Sequence, residues 1–222
     1  MTFLRDIALG ILLSGLVIGF FSSASPALAQ FLEVRATSSD LIPEESASKI
    51  KAINNVTKIE KYLLVRTEPH EVIGLEPGAA LRILIQGDRW ISAKVVAGRS
   101  FKTEDEGKNV AIVGRVYAED YGFKGRMKEM PGMPAMKHYF DIGQSFQPRE
   151  IDQRIRVIGR FTAQPESEAA RIFLPLSTAQ QLYGYAGRIS VLFVTVNSPK
   201  SGERVKKEIE AVLGDQAQVI PR

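Results

Sequence analysis

The sequence predicts an α+β protein in which both ends of the chain form one subdomain and the middle forms a second, β-rich one. Each end shows a strand–helix–strand pattern, at 31–35, 43–53 and 56–67 and again at 189–196, 203–213 and 218–220. The middle is predicted to contain mostly strands with short helices. We therefore expect a split βαβ-type outer subdomain, 30–97 with 189–222, and an inserted β-rich subdomain over 98–188.

Cap and turn residues support these helices. Pro43 followed by Glu44-Glu45 predicts the start of the first helix, because proline fits the first turn and acidic side chains favour the positive end of the helix dipole. Ser177 is predicted to cap a helix that runs through Leu182 and ends before Gly184. The runs 81–85 and 91–96 are apolar, and their pattern does not decide between helix and strand.

Composition excludes several classes of protein. The chain has 222 residues, 45% hydrophobic and 24% charged, which is ordinary for a globular domain. The net charge is +4, and the basic residues are interspersed with acidic ones and form no Lys/Arg block. We therefore expect no nucleic-acid partner. Cysteine is absent, which excludes disulfides, zinc-thiolate sites, iron–sulfur clusters and thiol catalysis.

Residues 1–29 have the layout of an export segment. A short start is followed by the almost entirely apolar run Ile7 to Phe21 and then by Ala27-Leu28-Ala29, a small-residue cleavage site. A membrane-spanning helix needs about 20 apolar residues, which favours a signal peptide cleaved before Gln30. A single uncleaved N-terminal membrane anchor is the alternative. Both predict a periplasmic or other extracytoplasmic location, either exported across the inner membrane or anchored in it.

Five short segments carry a family resemblance. They are Val72 to Pro77; Val96 to Phe101 with Glu104-Asp105; Asn109 to Gly114 with Ala118 and Gly122-Phe123; Ile142-Gly143 with Arg156 to Gly159; and Phe173 to Gln180 with Leu182 and Gly184. In this order they resemble the periplasmic core domain of MacB-type ABC transporter permeases, a group that includes FtsX-like and lipoprotein-releasing permeases.

The resemblance implies a non-catalytic domain that follows a first membrane helix, moves with the ATPase cycle and docks an adaptor or carrier. In this family the position of residues 4–30 is that of the membrane helix. The chain differs from such permeases because no apolar spans follow the domain, and it has no G-x-x-x-x-G-K-[ST] loop for ATP. We therefore expect either a detached accessory domain or a permease fragment that works with ABC permease or ATPase subunits, or with a periplasmic adaptor.

A methionine-rich segment lies within residues 124–138. Its methionines are spaced by three and are followed by a histidine. Thioethers prefer Cu(I) or Ag(I), and imidazole also suits copper, so the segment predicts a metal site, whereas flexible methionines equally suit a surface that packs on a partner. The candidate ligands are Met127, Met130, Met133, Met136 and His138.

Enzyme machinery is not apparent in the sequence. No G-x-S-x-G motif is present. His70 follows a proline in a turn-like stretch and is expected at the surface, and the acids at 104–106 are expected to be solvated loop charges. Trp90, the only tryptophan, is expected to be a packing anchor.

Two hypotheses follow. The first is a non-catalytic extracytoplasmic domain of an ABC transporter permease-type assembly, which docks partner proteins for transport or envelope efflux and requires no cofactor. The second is a freestanding periplasmic Cu(I)/Ag(I)-binding protein that uses the methionine segment.

Overall fold

The computed structural model describes residues 30–37, 41–86, 88–116, 118–121 and 139–222. Within them the α-helices are Glu45–Lys51 (α1), Leu176–Leu182 (α2) and Pro199–Leu213 (α3). The strands are Gln30–Ala36 (β1), Ile42–Pro43 (β2), Val56–Val65 (β3), Glu71–Leu75 (β4), Arg82–Ile85 (β5), Arg89–Gly98 (β6), Val110–Val113 (β7), Ser145–Phe146 (β8), Ile155–Ala163 (β9), Arg171–Pro175 (β10), Arg188–Ile189 (β11), Val191–Val196 (β12) and Ala217–Pro221 (β13). The predicted α+β class is confirmed.

One large mixed sheet dominates the fold, in the order β13-β1-β12-β3-β4-β10-β7-β9-β6-β5, with β8 paired to β9. The pairs β4–β10 and β7–β9 are parallel, and the others are antiparallel. A separate two-stranded sheet joins β2 and β11. The division of the chain into an outer and an inserted subdomain stays a prediction, while the sheet itself runs without a break through both parts.

The two ends of the chain interleave within this sheet. Strands β1 and β3, joined through α1, lie on either side of β12 and are both antiparallel to it. Strands β12 and β13, joined through α3, lie on either side of β1 in the same way. Each strand–helix–strand unit therefore receives a strand of the other unit between its own two, which ties the start of the chain to its end.

The sheet has two apolar faces because successive side chains along a strand point to opposite sides. In β12, Leu192 and Val194 belong to one buried cluster, whereas Val191 and Phe193 belong to the other. The buried apolar side chains of all three helices join the first cluster. The β5–β6 hairpin covers the second face with Ile83, Trp90 and Ile91.

Trp90 packs as predicted. Its ring lies 5.1 Å from that of Phe193 and 6.0 Å from that of Tyr62, measured between centroids. The two apolar runs of undecided type form the strands of the same hairpin, because Ile83 pairs with Ile91 and Leu84 with Trp90 in antiparallel register.

A glycine in β4 permits the close approach of α2. A Cβ atom on Gly74 would lie 2.7 Å from the Cβ of Ala179 and 3.4 Å from that of Leu63. The glycine of the Val72 to Pro77 segment therefore has a packing reason, since any side chain there would push α2 off the sheet.

Helix boundaries differ from expectation. The first helix is confined to α1, and its end is followed by Asn55 with φ +77°. The last helix begins at Pro199 rather than Glu203, because proline is accommodated in the first turn. Among the described residues, no helix is both long and apolar enough to span a bilayer.

Candidate functional site

A cleft of about 390 Å³, which we call the turn cleft, lies beside the turn that follows β4. In this turn the Ala79 backbone N–H donates to the Glu76 carbonyl at 3.0 Å. Gly78 has φ +84°, a conformation that glycine adopts readily and other residues rarely do. The rest of the wall comes from β3 and from the loop after β6, and includes Lys58, Glu60, Thr103 and Glu106.

A second cleft of about 400 Å³ adjoins the first, because both are lined by Lys58, Ile59 and Glu76. It extends toward α1, where Ser48 and Lys51 form part of its wall. The two clefts together present a charged surface made by α1, the start of β3 and the turn after β4.

Lys61 ties these elements together. Its ammonium group donates to the carboxylate of Glu44 at 2.5 Å and pairs with that of Glu76 at 2.7 Å. Burial alone would lower the pKa of Lys61, but its two carboxylate partners outweigh burial and raise it. Burial alone would raise the pKa of Glu44, but hydrogen bonds from Lys61 and Gln180 lower it. Lys61 and Glu44 are therefore both charged at neutral pH.

Glu60 is buried on the neighbouring side of β3, with 6% of its surface exposed. Its carboxylate accepts hydrogen bonds from Lys58 Nζ at 2.6 Å, the Ala80 backbone N–H at 3.2 Å and Arg82 at 3.3 Å. Burial alone would raise the pKa of Glu60, but these donors lower it. A carboxylate held in this way is a poor proton acceptor, so it serves the architecture of the cleft rather than acid–base chemistry.

The expectation that the acids at 104–106 are solvated loop charges is wrong for Asp105, which is buried. It is only 2% exposed, and it accepts hydrogen bonds from the Arg99 guanidinium at 2.9 Å and from the Lys102 backbone N–H at 2.8 Å. The pKa of Asp105 is lowered to about 2, and the main cause is the hydrogen bond from the Arg99 guanidinium. The arginine and the aspartate of the second family segment therefore form an ion pair that closes this loop.

Glu106 also has a structural partner. Its carboxylate accepts hydrogen bonds from the Ser177 hydroxyl and from the Ser177 backbone N–H at 3.3 Å, in the first turn of α2. The expected cap by the Ser177 side chain is absent, because α2 begins at Leu176 and Ser177 lies within its first turn, one residue past the start. A negative charge at this helix end is favourable, and it fixes the loop wall of the turn cleft against α2.

The arrangement is suited to recognising charged groups of a partner. Lys58, Glu60, Lys61 and Glu76 all form ion pairs in and around the two clefts. Charged groups at an interface steer the encounter with a partner of complementary charge and disfavour other partners. Among the residues that the structure describes, no three or more His, Asp or Glu side chains gather in a way that could hold a metal ion.

The predicted metal ligands Met127, Met130, Met133, Met136 and His138 lie outside the described residues. The copper prediction therefore stays a prediction.

The described residues before and after that segment meet in an aromatic cluster. The ring centroid of Tyr121 lies 4.9 Å from that of Phe146 and 5.8 Å from that of Phe140, and it stacks on His70 at 5.9 Å. His70 Nε2 is 3.0 Å from the Asp120 carboxylate. The expectation of a surface histidine is wrong, because stacking and this hydrogen bond bury His70 to 9% exposure.

Comparison with protein families matches residues 7–212 to the MacB-like periplasmic core domain. Curated protein sequences give no significant match. Among solved structures, the chain resembles the extracellular domain of the noncanonical ABC-type transporter YknZ from Gram-positive bacteria, with 17% identity, a TM-score of 0.57, and coverage of 86% of this chain and 99% of that one. It also resembles the periplasmic region of MacB from Actinobacillus actinomycetemcomitans, with 11% identity, a TM-score of 0.56, and coverage of 86% and 87%.

At these identities the two structures support the fold alone, and they agree with the α+β architecture described above. The family match spans most of the chain and includes the turn after β4, the Arg99–Asp105 loop and α2. The chain belongs to the family of MacB-like periplasmic core domains, which are parts of ABC transporter permease-type proteins.

Proposed function

We propose that the chain acts as a non-catalytic extracytoplasmic domain of an ABC transporter permease-type assembly and docks partner proteins there for transport or envelope efflux. The observation that carries the proposal is the family match over residues 7–212. The resemblance to the extracytoplasmic parts of YknZ and MacB supports it at the level of the fold.

The turn cleft is the proposed docking surface. Its walls include Glu76 and Pro77 from the first family segment, together with Thr103 and Glu106, which flank Glu104-Asp105 of the second. Ion pairs fix these backbones, and both signs of charge face the cleft, which suits a partner that presents complementary charges.

The N-terminal segment is proposed to tether the domain. The family match begins at residue 7, inside the apolar run Ile7 to Phe21, and continues into the folded domain. This continuity supports an anchor that belongs to the same unit as the domain, on the extracytoplasmic side of the membrane.

The test is affinity purification of the tagged full chain from solubilised membranes of its own cell, followed by mass spectrometry. We expect an ABC ATPase, a permease subunit or a periplasmic adaptor to co-purify. Substituting Glu76→Lys reverses a charge in the turn cleft and should reduce the recovered partner about tenfold. The matched control Glu208→Lys, on the exposed side of α3, should leave recovery unchanged. Recovery of the chain alone under all conditions would contradict the proposal.

A further inference from the structure

Strand β13 forms one end of the large sheet. It pairs with β1, and no strand among the described residues pairs with its other side. The Arg222 N–H donates to the Phe31 carbonyl at 2.8 Å, and the Thr37 N–H donates to the Gln216 carbonyl at 3.1 Å. Backbone groups alternate along a strand, so the even-numbered residues of 216–222 turn theirs toward β1. Ala217 and Val219 therefore direct both backbone N–H and C=O groups outward.

This edge has few of the features that usually protect a sheet edge. Natural edge strands are commonly blunted by charged side chains, by bulges or by proline. Residues 217–221 read Ala-Gln-Val-Ile-Pro, with no charge, and the pairing with β1 runs in continuous register. Proline stands only at the final position, so it removes no N–H from Ala217 or Val219, and in the part of the chain that the structure describes no strand pairs with their outward groups.

A cleft of about 490 Å³ lies next to the edge. Its wall includes Glu210 from the end of α3 and Asp215 from the loop that follows. Gly214 stands between them with φ +55°, and nothing lies within 4 Å of the position a Cβ atom would take, so the backbone there is bare. Glu210 faces Lys206 at the long distance of 3.9 Å. The cleft thus places the carboxylates of Glu210 and Asp215, which have little positive charge close to them, beside the outward backbone N–H and C=O groups of β13.

We propose that the β13 edge and this cleft form a docking site for an extended, basic segment of a partner protein. The segment adds to the sheet as a further strand, with main-chain hydrogen bonds to Ala217 and Val219. A Lys or Arg side chain of the segment reaches Glu210 and Asp215, and this charge pairing selects basic sequences over others. The inference rests on the docking function proposed above and adds a second surface to it, formed by the β13 edge and the adjacent cleft.

The test selects peptides from a phage-displayed library of random 12-residue sequences on the biotinylated full chain in detergent micelles. We expect the selected peptides to alternate β-branched residues with Lys or Arg. Fluorescence anisotropy of a synthesised selected peptide then gives its Kd. The double variant Glu210→Lys with Asp215→Lys should weaken binding about tenfold. The control Glu208→Lys should not, because the helical period places it on the other side of α3.

A second measurement follows the backbone. Peptide binding should slow hydrogen exchange of the Ala217 and Val219 amides. The variant Val219→Pro removes an outward N–H and should abolish binding. If this variant fails to fold, the exchange measurement on the wild-type chain decides the question instead. Selected peptides without basic residues, or an affinity unaffected by the charge reversals, would overturn the proposal. Sedimentation showing that the chain pairs with a second copy through this edge would overturn it as well. Such failure would leave co-purification with transporter components intact, so the two proposals can be separated.

Discussion

Replacing Asp105 by asparagine should destabilise the domain at neutral pH by about 1–2 kcal/mol. The pKa of Asp105 falls from its ordinary 3.8 to about 2 in the folded protein, chiefly through the hydrogen bond from Arg99. That difference corresponds to about 2 kcal/mol of stabilisation of the charged form. The Arg99 side chain is 41% exposed, so solvent screening reduces this value.

The pH dependence has a definite sign. Because the folded-state pKa is depressed, the stabilisation is complete above about pH 5 and is lost as the pH falls through about 4 to about 2. Urea unfolding of the wild type and of Asp105→Asn should therefore differ at pH 7 and converge near pH 2. Glu104→Gln is the control, because its carboxylate is 62% exposed and its nearest cation lies 3.6 Å away. A difference of less than about 0.5 kcal/mol at pH 7, or one that does not change with pH, would refute the reasoning.

Three further predictions concern packing, the methionine segment and the N-terminus. Gly74→Ala should destabilise the domain by about 1–3 kcal/mol, because its Cβ would lie 2.7 Å from that of Ala179. Adding Ala179→Gly should recover most of the lost stability, measured by thermal unfolding. If the effects of the two substitutions simply add, the packing explanation is contradicted. Anaerobic titration with Cu(I) should reveal a competition-resistant site that disappears when Met130 and Met133 become leucine, and unchanged affinity would refute the metal hypothesis. Intact-mass spectrometry of the protein from membranes should show residues 1–29 retained if they anchor the domain, whereas a chain that begins at Gln30 would show cleavage.

The sequence predicts the class of the fold well, because its strongest signals are local. The continuous apolar run of β12 is typical of a strand that is buried on both faces. The apolar stripe of α3, with Val205, Ile209 and Leu213 buried, follows from the period of the helix. The absence of cysteine also excludes disulfides. Pairing between distant strands is not local, so the order of the sheet and the way the hairpin covers its second face come from the structure.

The charged groups were harder to predict because their burial depends on distant partners. Asp105 has the same sequence context as an exposed loop acid, yet Arg99 accounts for its burial. His70 is buried because it meets Asp120, which lies 50 residues further along the chain. Lys61 pairs with the carboxylates of Glu44 and Glu76, which belong to separate elements, and the distance of either from Lys61 along the sequence does not suggest an ion pair. The family segments mark one of these places, because Arg99 and Asp105 of the second segment form the ion pair that closes the loop.

Site-specific photo-crosslinking tests the proposed docking function most directly. A photoreactive amino acid is placed at Pro77 in the turn cleft and, as a control, at Glu208 on α3, and the full chain is irradiated in its native membrane. We expect a crosslink from position 77, and none from position 208, to an ABC permease, ATPase or periplasmic adaptor protein identified by mass spectrometry. Equal labelling from both positions, or no crosslinked transporter component at position 77, would contradict docking through the turn cleft.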